Sequence, residues 1–88
     1  MTKKSEDIVI TNALRTPIGK YNGGLSSYEA HDLGAEVIKN LLKQSNILPE
    51  DIDEIIMGQV LTGKTGQNPA RQAAIKAGIP KNKTAYLI

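Results

Sequence analysis

The sequence predicts an α/β chain with the element order β-α-β-α-β. Three observations carry that expectation. An unbroken helical stripe begins near Ala30, a short helix is punctuated at both ends around Pro69–Ala77, and three apolar runs alternate with them. Strands that are apolar on both faces and separated by helices belong to a parallel sheet.

The first run, Ile8-Val9-Ile10-Thr11-Asn12-Ala13, is rich in β-branched residues and too short for a helix, which predicts a strand. Arg15 to Tyr28 carries Pro17, Gly19, Gly23 and Gly24, the composition of a loop. From about Glu29 the period changes. Ala30, Leu33, Gly34, Val37, Ile38, Leu41 and Leu42 recur at i, i+3 and i+4, which predicts a helix over Ala30–Ser45. Asp32 and Glu36 precede Lys39 and Lys43 off that stripe, in the order the helix dipole prefers. Asn46 is placed to end the helix in a left-handed conformation.

Leu48-Pro49-Glu50-Asp51 turns the chain, and Ile55-Ile56-Met57 begins a second strand running towards Leu61. A glycine-rich loop follows. Asn68 suits a helix N-cap, because its side-chain oxygen can accept from an unpaired backbone N–H. Pro69 fits the first helical position, where a missing N–H costs nothing. Gly78 offers a left-handed cap at the other end, and Pro80 stops continuation. Between the caps, Ala70, Ala73, Ala74 and Ala77 share one face, so this helix can press close against a sheet. Ala85-Tyr86-Leu87-Ile88 reads as the third strand.

If both crossovers step in the same direction, both helices lie on one face of the sheet. The other face then has no cover, and about five side chains, alternate members of Ile8, Ile10, Ile55, Met57 and Leu87 among them, would lie bare. On physical grounds the sequence reads as a fragment.

Composition narrows the function. Eleven basic against nine acidic residues is near balance, which argues against a nucleic-acid surface. Lys76, Lys81 and Lys83 read as solvated surface. The absence of cysteine excludes a disulfide framework and a thiolate metal site. Met1 to Asp7 is not followed by the apolar run of a secretory signal, and no stretch approaches the roughly 20 apolar residues of a membrane span. A cytoplasmic protein with no nucleic-acid or membrane partner is expected.

Gly58-Gln59-Val60-Leu61-Thr62-Gly63-Lys64-Thr65 matches the phosphate-binding loop pattern G-x-x-x-x-G-K-[ST] after a predicted strand. Gly66 and Pro69 would interrupt the helix such a loop must open, and Val60 and Leu61 are bulky for it. No later strand supplies an acidic magnesium ligand. His31 has no nucleophile partner in the chain and reads as a surface or boundary residue of the first helix. Arg15 and Arg71 could meet a coenzyme phosphate. The reading preferred for them is structural, with the guanidinium pinning an irregular loop.

The run Gly66–Ala74 (GQNPARQAA), with Gly78-Ile79-Pro80 after it, resembles the thiolase family of acyl-CoA C-acyltransferases. Arg15-Thr16-Pro17-Ile18-Gly19, Asp32-Leu33-Gly34 and Gly58-Gln59-Val60 resemble that family's N-terminal blocks in order and spacing, so the likeness covers Ile8 to Ile88. It implies a thiolase-like fold of two similar halves. Residues 1–88 would be a partial N-terminal domain holding its first three strands and two helices. The family transfers an acetyl or acyl group between acyl-CoA units through an acyl-cysteine. The nucleophilic cysteine is expected just after Ile88, and the catalytic histidine far beyond it. The resemblance therefore implies no catalytic, cofactor-binding or metal-binding residue within this chain and no activity for it alone. Acyl-CoA would be a partner of the parent enzyme only, together with the remainder of its chain in a homo-oligomer. The alternative is a structural subunit that docks on a separately encoded remainder. A nucleotide binder using Lys64 ranks third.

Overall fold

A computed structural model describes residues 7–59, 63 and 66–88. Among the described residues, two helices, one 3-10 turn and a two-stranded parallel sheet form, in the order α1 (Ala30–Ser45), a 3-10 turn (Pro49–Asp51), β1 (Glu54–Met57), α2 (Pro69–Lys76) and β2 (Thr84–Leu87).

The helix ends follow from local chemistry. At the start of α1 the Glu29 side chain accepts from the Asp32 backbone, and Asp32 Oδ2 accepts from Glu29 N at 3.1 Å, a reciprocal capping box. Asn46 closes α1 in the left-handed region at φ 56°. Asn68 caps α2 by accepting from Arg71 N at 3.2 Å. The N–H of Ala77 closes on Ala73, and Gly78 then turns the chain at φ +93°. Ile79 N returns to Ala74 O at 3.0 Å, a bond that only a left-handed residue at Gly78 permits.

The alanine face of α2 does what its spacing predicts. Ala70, Ala73 and Ala74 are buried almost completely, and Ala77 nearly so. Ala73 meets α1 at Gly34, where an added Cβ would lie 3.3 Å from the Ala73 methyl and 2.8 Å from Met57 Cε. That glycine sets how closely α1, α2 and β1 can approach. In the sheet Glu54 to Met57 pair in register with Thr84 to Leu87. Ile55, Met57, Ala85 and Leu87 face the helices and join Ile38, Leu42, Ala70 and Ala74 in one core. Both helices therefore cover the same side of the sheet.

Two expectations are corrected. Ile8–Ala13 forms no strand: the segment is irregular, with Ile8 100% and Ile10 93% exposed. An isolated extended segment gains ladder bonds only when a neighbour accepts it, and burial here does not offset the ordering entropy. The three-stranded expectation thus becomes two strands among the described residues. The second correction concerns the sheet face turned from the helices. It carries Glu54, Ile56, Thr84 and Tyr86, not Ile55, Met57 and Leu87, so it is half polar rather than wholly apolar.

The α1 stripe also behaves differently from its pattern. Leu33, Val37, Ile38, Leu41 and Leu42 are only half-buried, and the most buried positions are His31 and Ala35 on the side meeting α2. Leu33, Val37 and Ile38 instead border an open recess of about 600 Å³ beside Ile55 and Met57.

Candidate functional site

Among the described residues, polar side chains are brought together at the seam between the helices and at the N-terminal end of α2.

At the seam, His31 is 5% exposed, so the expectation of a surface histidine is corrected. Its Nδ1 lies 2.9 Å from Lys76 Nζ, and its Nε2 lies 2.5 Å from Glu29 Oε2. Lysine has donors only, so this geometry makes Nδ1 the acceptor and leaves the ring proton on Nε2 for Glu29. Lys76 also pairs with Asp32 Oδ1. That lysine, expected to be plain solvated surface, joins the last turn of α2 to the first turn of α1. The hydrogen bond from Lys76 and the backbone bond from Glu29 hold the Asp32 carboxyl below its ordinary range. The cluster orders a helix start and fixes two helices. It contains no hydroxyl or thiol, and among the described residues no group of acids and histidines could hold a metal ion.

At the start of α2, Gly66 sits at φ +75° and Asn68 at φ 44°. Gln72 Nε2 donates back to Gln67 O at 2.9 Å, closing the loop onto the helix. Arg71 Nη1 donates to Lys81 O at 3.1 Å, which is the structural role preferred from the sequence. Arg15 lies exposed near the end of the irregular N-terminal segment. Asn68 does more than cap, because its Nδ2 donates to Ala85 O of β2 at 3.1 Å. Sequence reasoning assigned Asn68 the cap alone. The available signal was its carboxamide, since Asp or Ser would cap as well but lack the NH₂ donor.

The P-loop reading falls mostly on residues 60–62 and 64–65, which lie outside the described residues. What is described opposes it: α2 begins at Pro69, after Gly66, Gln67 and Asn68, and not at the Gly-Lys-Thr. Among the described residues no helix is long and apolar enough to cross a membrane.

The family model of the thiolase N-terminal domain matches residues 8–88. An acetyl-CoA acetyltransferase of Cupriavidus necator is 57% identical over 82 residues, which is 93% of this chain and 21% of that protein. The cytosolic acetyl-CoA acetyltransferase of Rattus norvegicus is 46% identical over 86 residues, 98% of this chain and 22% of that one. Among solved structures, the Acat5 thiolase from Ascaris suum in complex with coenzyme A matches with a TM-score of 0.82. It is 41% identical, over 85% of this chain and 20% of that chain. The chain thus spans about a fifth of the length of these relatives. With its two capped helices, its parallel strand pair and these likenesses together, the chain belongs to the thiolase family and corresponds to the first part of the thiolase N-terminal domain.

Proposed function

We propose that this chain is the N-terminal part of an acetyl-CoA acyltransferase. The whole enzyme moves an acetyl or acyl group between acyl-CoA units, forming or thiolytically cleaving a carbon–carbon bond through an acyl-cysteine. The observation that carries this reading is the 57% identity to an acetyl-CoA acetyltransferase across 93% of the chain. The fold supports it. β2 is held in the sheet up to its last residues, with Ile88 N donating to Met57 O at 2.8 Å and Gln59 N to Ile88 O at 3.3 Å. A strand held so firmly can deliver the residues after it to the N-terminus of a following helix. There, unpaired N–H groups and the helix dipole favour a thiolate over a thiol.

The exposed surface also supports the reading. The chain exposes 6994 Å², against about 5,000 Å² for a folded monomer of its mass. In this reading its own residues scaffold the nucleophile's strand, and none performs the chemistry. Acyl-CoA, the remainder of the polypeptide and a second copy are partners of the whole enzyme, which acts in the cytoplasm. The test is an acyl-CoA thiolysis assay on two proteins, the 88-residue chain and the product of the uninterrupted reading frame. The longer protein should be active and lose activity on thiol alkylation, and the chain alone should be inert. Turnover by the 88-residue chain would overturn the proposal.

A further inference from the structure

The geometry assigns Asn68 a role beyond helix capping: it is a positioning residue that fixes β2, and through β2 the segment after Ile88. Its catalytic consequence rests on the proposed acyltransferase reading. Successive peptide groups of a strand point to opposite edges. Ile88 directs both its N–H and its C=O towards β1, to Met57 O and Gln59 N. By alternation Tyr86 and Thr84 also face β1, and Ala85 and Leu87 present their peptide groups to the outer edge. Asn68 Nδ2 donates to Ala85 O there, at 3.1 Å. β2 is thus gripped from both edges, by the ladder on one side and by a side chain from α2 on the other.

The same carboxamide accepts from Arg71 N through Oδ1, so one planar group ties the start of α2 to β2. Asn68 is left-handed at φ 44°, a conformation that asparagine tolerates better than most residues. Aspartate would share that tolerance and cap the helix equally well. Its carboxylate, however, has only acceptors and would set an oxygen against Ala85 O.

Asn68→Asp therefore separates the two roles. In the 88-residue chain, hydrogen exchange should quicken by about tenfold or more at the Tyr86 and Ile88 amides, and stay within about twofold at Ala73, Ala74 and Ala77. In the complete enzyme kcat should fall about tenfold with KM within about twofold, because the group lost places the nucleophile and does not bind substrate. Asn68→Gly, which keeps the backbone freedom but loses both bonds, should quicken exchange in α2 as well as β2. Unchanged β2 exchange in Asn68→Asp overturns the positioning role, whatever the activity. Quickened exchange with unchanged kcat in an active enzyme overturns the catalytic consequence. An inactive wild-type enzyme counts against the acyltransferase reading and leaves the exchange data to decide the role of Asn68.

Discussion

Asp32 shows how much one side chain can be asked to do. It accepts from the Glu29 backbone, completing the cap of α1, and it pairs with Lys76 from α2. Both interactions favour the carboxylate, so its pKa in the folded chain lies below the unfolded value. A depressed acid stabilises the fold fully above its unfolded pKa, and that contribution is lost as pH falls through the folded value. The stability difference between the parent and Asp32→Asn should therefore shrink as pH falls below about 4. Denaturant melts across that range check it; a difference independent of pH down to about 2 would contradict the assignment. Gly34 is the steric counterpart. Gly34→Val would drive a branched side chain into the Met57 and Ala73 contacts, and should destabilise the chain by about 1–3 kcal/mol.

At the scale of elements, what was legible was local. Asn46, Asn68-Pro69 and Gly78 end their helices as their residue types dictate, because a cap is decided within a few residues. The bounds of α1 and nearly those of α2 follow. The burial of His31 was not legible, because its partner Lys76 stands 45 residues away and meets it only through the packing of the two helices. The Asn68–Ala85 bond, 17 residues in span, was hidden for the same reason. The run Ile8–Ala13 was misread because strand propensity needs a neighbour to be realised. Thr11 and Asn12 of that segment border a recess with Leu41, Glu54 and Ile55. In the 88-residue chain the amides of residues 8–13 should exchange nearly as fast as in an unfolded peptide. In the complete enzyme they should be protected, and protection in the short chain would contradict the structure described here.

At the scale of the molecule, the Cα radius of gyration is 14.5 Å, against about 12 Å for a compact chain of this length. With the large exposed surface, this fits the proposal that the chain is part of a larger enzyme. Purified alone, the chain should associate or melt broadly, through the bare N-terminal apolar residues and the remaining open sheet edges. Sedimentation should show species larger than the monomer. A monodisperse monomer with a sharp two-state melt would contradict that account.

The central claim, that this chain leads into a nucleophile, is tested most directly by reading the DNA beyond codon 88. The strand must deliver the nucleophile to the next helix without a long connection. If the chain is the N-terminal part of a thiolase, as proposed, the family resemblance implies that the frame continues through a short polar stretch to a cysteine followed by glycine, about four or five residues on. An intact frame without cysteine in the next ten or so residues would contradict it, leaving a thiolase fold without thiolase chemistry.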